Sequence, residues 1–356
     1  MRPARALIDL DALRHNYRLA RQLHGGRVFA VVKANAYGHG AIACARALAD
    51  EAHGYAVAFL EEALALRANG IEAPILLLEG VFDAAELLEA AKHKLWLAVH
   101  HPAQVEMIEK TPLPAPLRVW IKVNSGMNRA GFLPAAVRVI WKRLIIGGKV
   151  KDCGFMTHFA RADEPDAEAT AEQIRTFDAA TRSLPGERSL ANSGAILAWP
   201  DSHRDWARPG IMLYGADPLP AESHGLLPVM TLTSQVVAVR ELSVGDPLGY
   251  GARFIAPRRT RVGLVAIGYA DGYPRTAPEQ LPVAVDGQPA PLIGRVSMDM
   301  LTVDLTDVPE ADIGSTVELW GKQISVNSVA QSVGTISYEL LCNVKRVGFA
   351  WEGGEG

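Results

Sequence analysis

The sequence predicts a two-part α/β chain: an N-terminal (β/α)8 TIM-type barrel over residues 1–222 and a C-terminal mainly β domain over 223–356. Three observations predict it. Short apolar runs alternate with amphipathic stretches through the first part, as parallel strands and their covering helices do. After Pro228 the texture changes to β-branched runs broken by Gly, Pro and Asp turns. A length of 356 residues also favours two cores over one.

The apolar runs give eight candidate barrel strands: Val28–Lys33, Tyr55–Phe59, Pro74–Leu78, Leu95–Val99, Leu117–Val123, Asp152–Thr157, Arg188–Ala191 and Ile211–Tyr214. Helices are expected over Asp11–Leu23, Ala41–Asp50, Phe59–Asn69 with Gly70 as its stop, Asp83–Lys92 and Ala167–Ser183. An open doubly wound sheet fits the same alternation and stays open as the alternative. The linker DPLPAESHGLLP carries the domain boundary, and the first few residues can pack with the second domain. In that domain TLTSQVVAVREL, TRVGLVAIGYADGYP, LPVAVDGQPAPLIGRVSMDMLTVDL and STVELWG read as strands and turns, with Asp286-Gly287 as a hairpin turn.

Composition narrows the function classes. Lys plus Arg (36) nearly balances Asp plus Glu (39), so nothing in the charge favours nucleic acid or an anionic membrane, and a small neutral or zwitterionic ligand fits better. Cys44, Cys153 and Cys342 are scattered, without metal or disulfide spacing, and read as reduced packing residues. No apolar run approaches the ~18 residues of a membrane span, and Asp9 and Asp11 interrupt any leader-like core. A cytoplasmic protein without a metal site is the expectation.

In a barrel the chemistry gathers where strands end. RVFAVV runs directly into Lys33, a lysine that must be desolvated or find a partner there. Taken alone it reads equally well as a snorkelling strand-end lysine. Lysine is also the residue that forms a Schiff base with an aldehyde cofactor, and burial brings its pKa towards the useful range. Near the last strand, Arg208-Pro209-Gly210-Ile211 brings an arginine and main-chain amides suited to a phosphate. Asn192-Ser193-Gly194 adds a hydroxyl and further amides.

AVVKANAYGHG resembles the pyridoxal-phosphate signature of alanine racemases. KVNSGMNRAGF, MTHFARAD, RPGIMLYG, GYGARF, GYADGYPR, GRVSMDM and ISYELLC resemble further motifs of that family in the same order, across essentially the whole chain. The resemblance implies pyridoxal 5'-phosphate on Lys33, with Tyr37, Asn192, Ser193, Gly210, Ile211 and Tyr338 around the cofactor. It implies that Arg208 faces the cofactor's ring nitrogen and that His158 hydrogen-bonds Arg208. Arg129 matches the arginine that contacts cofactor and substrate carboxylate, and Lys122 the lysine carbamylated in many relatives; Asn124 departs from the family's usual Asp.

Racemisation removes a proton from one face of Cα and delivers another to the opposite face. The family uses the lysine on the D-alanine face and a tyrosine of the partner subunit, here Tyr250, on the L-alanine face. A phenol of ordinary pKa ~10 is a weak base at neutral pH, so a perturbed environment is expected around Tyr250. Met298 and Asp299 match residues that reach the neighbouring substrate site, and Tyr269, Arg275 and Arg295 match the channel by which substrate arrives. The implied enzyme is a homodimer with shared sites that interconverts L- and D-alanine, for cell-wall supply or for catabolism. Two alternatives are a related barrel enzyme, a decarboxylase or a racemase of wider range, and a non-catalytic protein that only binds the cofactor. The arginine in RPGIMLYG argues against the decarboxylase, and the second domain with Tyr250 against the binding protein.

Overall fold

A computed structural model of the chain describes residues 2–219 and 223–353. It divides into two compact units: Arg14–Leu213 with Asp217–Leu226, and Met1–Leu13 with Tyr214–Ala216 and Leu227–Gly356. The first strand, β1 (Arg5–Asp9), belongs to the second of these.

In the first unit eight parallel strands close into a barrel among the described residues. They are β2 (Arg27–Val31), β3 (Gly54–Val57), β4 (Ile75–Leu77), β5 (Trp96–Val99), β6 (Leu117–Lys122), β7 (Val150–Met156), β8 (Arg188–Ser189) and β9 (Trp206–Ala207). Both faces of such strands are covered, so β3 and β4 are buried at every residue, which is why they read as unbroken apolar runs. Helices Ala41–Ala47, Leu60–Ala68, Ala84–Lys92, Pro102–Lys110, Val137–Ile146 and Glu168–Thr181 follow strands in turn. Asp83 caps its helix by accepting from the Glu86 amide at 2.8 Å.

The expected last strand is corrected by the structure. Ile211–Tyr214 is a 3-10 turn, and the eighth strand is the two-residue Trp206–Ala207. Pro209 has no amide to give a sheet ladder, and the Leu213 amide donates back to the Gly210 carbonyl at 2.9 Å, closing a turn. The apolar residues Ile211, Met212 and Leu213 are fully buried in that turn, so apolarity here marks burial without marking a strand.

Four large aromatics fill the barrel towards the starts of its strands. Phe29 stacks on Trp206 with ring centroids 4.1 Å apart and meets Trp96 and Trp120 edge-on. Gly154 is needed beside them: a Cβ there would lie 2.8 Å from the Trp120 ring.

In the second unit the sheet order is β13-β16-β15-β14-β17-β10-β1-β18, comprising β10 (Met230–Leu242), β13 (Thr260–Val265), β14 (Pro282–Val285), β15 (Gln288–Ile293), β16 (Leu301–Asp304), β17 (Thr316–Trp320) and β18 (Gly348–Glu352). A small pair, β11 (Pro247–Leu248) and β12 (Phe254–Ile255), forms a separate two-stranded sheet whose Phe254 and Leu248 pack with Val262 and Ile293 of the larger one. β13 also pairs with β10, so six of the strands close on themselves. β1 runs antiparallel to β10 and parallel to β18. The β14–β15 hairpin turns through Asp286 (φ 45°) and Gly287 (φ 85°), the two positive φ values that a two-residue turn of matching twist requires.

Candidate active site

Lys33 follows β2 and opens a short turn. Ala34, Asn35, Ala36 and Tyr37 all take left-handed backbone angles, with φ between 52° and 54°. Left-handed helix costs non-glycine residues about 1–2 kcal/mol each, so local bonds must hold the segment. The Gly38 amide donates to the Ala34 carbonyl at 3.1 Å and the Gly40 amide to Asn35 at 3.0 Å. Asn35 Oδ1 accepts from the Ala41 amide at 2.9 Å. Glu62 Oε1 accepts from the Ala34 amide at 2.6 Å, while its Oε2 accepts from the Ala58 and Phe59 amides, tying the turn to the loop after β3.

The turn brings Tyr37 back onto the loop after β9. A Cβ at position 210 would lie 2.4 Å from the Tyr37 hydroxyl, so only glycine admits this approach. Ser193 Oγ accepts from the Gly210 amide at 2.9 Å and from the Met212 amide at 3.3 Å. Asn192 caps the helix Ser193–Ala198 by accepting from the Ala195 amide. Tyr37, Ser193, Gly210 and buried Ile211 therefore form one corner of the barrel mouth.

Arg208 is 5% exposed and directly follows β9. One terminal nitrogen donates to the Ser189 carbonyl and hydroxyl, the other to the Thr157 and Leu190 carbonyls. None of these bonds uses Nε. The expected His158–Arg208 hydrogen bond is replaced: converging strand-end carbonyls and Ser189 fix the guanidinium, whose charge in turn bears on His158. Burial lowers Arg208 to about 10, which leaves it cationic at neutral pH. Burial, then the positive charges of Arg208, Arg129, Lys122 and Lys33, hold His158 at about 3, so its imidazole is neutral.

Lys122, the last residue of β6, is 7% exposed and lies 4.0 Å from Glu79 Oε2. Burial lowers its pKa; Glu79 opposes the shift, and Arg208, Arg129 and Lys33 add to it. Arg129 is exposed on the following loop. Asn124 organises that loop: its Oδ1 accepts from the Gly126 and Asn128 amides, and its Nδ2 donates to Asn128 Oδ1 at 3.0 Å. A neutral amide thus shapes the turn where an aspartate would add charge. Gln173 braces the same region, donating to the His158 carbonyl at 3.1 Å and to Ser125 Oγ at 3.3 Å.

The sequence reading passed over Glu62, Glu79 and Gln173. Glu79 was within reach of the rule that found Lys33, since it too is a charged residue just after an apolar strand, in ILLLEG. Glu62 and Gln173 sit on helices and left no such signal.

The remaining expected residues lie in the second unit. Tyr250, in a short 3-10 turn between Gly249 and Gly251, is 68% exposed. Met298 is exposed, and Asp299 accepts from Arg346 at 2.6 Å. The Tyr269 and Ala270 amides donate to the Ser297 and Met298 carbonyls at 3.0 Å, joining two of the expected segments. Buried Asp271 anchors this corner, accepting from Arg2 at 2.8 and 3.1 Å and from the Gly268 amide at 3.0 Å. Arg275 is exposed, Arg295 is half-buried, and Tyr338 is 37% exposed on the helix Ser337–Cys342.

Comparison with known proteins agrees with this architecture. Residues 8–218 match the alanine racemase N-terminal domain and residues 229–348 the C-terminal domain. The alanine racemase of Azoarcus sp. is 69% identical over 353 residues, covering 99% of this chain and 100% of the relative. A catabolic alanine racemase of Pseudomonas putida is 60% identical over 350 residues, 98% of each chain. Among solved structures, the biosynthetic alanine racemase of Pseudomonas aeruginosa superposes with a TM-score of 0.96 at 49% identity, covering 99% of this chain and 100% of that one. That of Bartonella henselae, solved with covalently bound pyridoxal phosphate, gives 0.90 at 32% identity, covering 98% and 99%. With both domains matched in order and relatives aligned end to end, this chain belongs to the alanine racemase family.

Proposed function

We propose that the chain interconverts L- and D-alanine with pyridoxal 5'-phosphate, in a homodimer whose sites are shared. The observation that carries this reading is the barrel mouth, where Lys33 follows β2 into a stapled left-handed turn amid Arg208, Lys122 and His158. The residues fit the cofactor. The side-chain-free cradle at Gly210, against the Tyr37 hydroxyl and beside Ser193, suits a phosphate, and Arg208, cationic at neutral pH, suits donation to a ring nitrogen that stays unprotonated. Asn192, Ile211 and Tyr338 complete the proposed holding set. Pyridoxal phosphate, when bound, withdraws electrons and acidifies the Cα–H of an attached amino acid.

Lys33 Nζ then moves the proton on the D-alanine face, and the Tyr250 hydroxyl of the partner subunit moves it on the L-alanine face. Exposure of Tyr250 in the single chain supports a partner's completing its surroundings. Arg129 and the Met298 amide hold the substrate carboxylate, Asp299 braces that segment, and Tyr269, Arg275 and Arg295 line the approach. His158 stays neutral and adds no further cation beside Arg208. A cytoplasmic location belongs to the same reading, supported by the free thiols of Cys44 and Cys153.

Carbamylation of Lys122 is part of the proposal. Its lowered pKa enriches the free amine, which adds carbon dioxide and releases a proton, and the resulting anion faces Arg129 and Arg208. With isotopically labelled bicarbonate, a carbamate carbon resonance should appear in the folded protein and vanish in Lys122→Arg. An unlabelled, unmodified amine in the active enzyme overturns this part.

The activity itself is tested by following optical inversion of L-alanine together with deuterium exchange at Cα, across several L-amino acids. L-alanine is expected to be the best substrate. A yellow protein that exchanges no Cα proton would instead be a binding protein, and a better substrate than L-alanine would point to a racemase of wider range.

A further inference from the structure

The left-handed turn after Lys33 ends in a histidine that neither the cofactor nor the substrate reading uses. His39 is fully buried, and its Nδ1 lies 3.0 Å from both the Ala36 and the Tyr37 carbonyl oxygens. Carbonyls only accept, so Nδ1 carries the proton and donates to both. These are the carbonyls of the last two non-glycine residues in left-handed conformation. The His39 main-chain amide adds a third bond, also to Ala36 at 3.0 Å. The imidazole therefore closes the turn from its far end, while Glu62 holds its start through the Ala34 amide.

From this geometry we infer that His39 is a positioning residue. As the Nδ1–H tautomer it locks the strained turn, so that Lys33 and Tyr37 are presented to the barrel mouth in one fixed arrangement. The inference rests on the reading of Lys33 as the cofactor lysine. Three physical points support it. Consecutive non-glycine residues in left-handed conformation revert to commoner angles unless their surroundings over-determine them. Burial of Ala36, Tyr37 and His39 keeps water from standing in readily for the imidazole donor, although the Ala36 carbonyl retains the His39 main-chain amide. Burial also holds the imidazole at about 4, which keeps it neutral at neutral pH, while the two carbonyls facing Nδ1 select its tautomer. Catalysis is sensitive to such placement, since a misplacement of ~1 Å can cost about 10²-fold in rate.

The test uses the dimeric, cofactor-loaded enzyme and two isosteric variants. Asparagine places its amide nitrogen near the position of Nδ1, whereas glutamine places its own near Nε2. His39→Asn should retain kcat to within about threefold, while His39→Gln should lose about tenfold or more in kcat with little change in KM, as expected for loss of the buried donor shared by the two carbonyls. The visible band of the lysine-bound cofactor should shift in the glutamine variant and not in the asparagine variant. Equal behaviour of the two variants would reduce His39 to packing and overturn the inference. The tautomer can also be read directly, whether or not the variants fold, from nitrogen-15 shifts of histidine-labelled wild-type protein. Nδ1–H is expected, and an Nε2–H tautomer or an imidazolium at neutral pH overturns the inference. Failure here is separable from failure of the underlying reading: if Lys33→Ala kept the covalent cofactor, the reading of Lys33 would fall, whereas matched His39 variants on a protein with an intact Lys33 link remove only the positioning role.

Discussion

Lys33→Ala is expected to abolish covalent attachment of pyridoxal phosphate and to lower alanine racemisation by about 10³-fold or more, since one residue supplies both the link and a base. The fold should survive. Lys33 is half-buried at the barrel mouth and packs no core, and its shortening leaves the bonds of Ala34, Gly38 and Gly40 in place. The visible band of the bound cofactor should disappear while the melting profile of the cofactor-free protein stays close to wild type. Retention of the band would show that another amine holds the cofactor.

Tyr250→Phe should fail in a different way. The cofactor should remain attached and coloured, but inversion should fall by about 10²–10⁴-fold through loss of one proton-transfer group. Because Lys33 is untouched, the variant should still exchange the Cα proton of D-alanine with deuterated solvent without inverting it, and exchange from L-alanine should be lost. Unimpaired inversion would remove Tyr250 from the mechanism. The same pair of variants tests the shared site: a hybrid dimer of one Lys33→Ala chain and one Tyr250→Phe chain holds one site with both residues intact. Mixing the two inactive proteins under subunit exchange should then restore about a quarter of wild-type activity. If each site drew Lys33 and Tyr250 from the same chain, mixing would restore none.

Much of the barrel was legible because parallel strands covered on both faces must be apolar throughout, as Tyr55, Ala56 and Val57 are. The eighth strand was not. Trp206–Ala207 is too short to show any period, while Ile211, Met212 and Leu213 imitate a strand and form a turn. Lys33 and Arg208 were legible as charges at strand ends, a costly placement that needs a reason. Their supports were less so: Glu62 and Gln173 sit on helices with no short-range pattern joining them to the site, and His39, although inside AVVKANAYGHG, shows its bonds only once the turn is folded.

By itself the sequence determined the chemistry available: which residue types stand at strand ends, the motifs in their order, and the Asp286-Gly287 turn whose angles those two residues favour. Tertiary structure alone decided the conformations that local preference opposes. Ala34, Ala36 and Tyr37 do not choose left-handed angles by propensity; they hold them because a carboxylate from the helix after β3 and a buried imidazole satisfy the backbone groups of the turn. Tertiary structure likewise decided that Arg208 is gripped by carbonyls and not by His158. That outcome depends on three strand ends meeting at one point, which no stretch of sequence encodes alone.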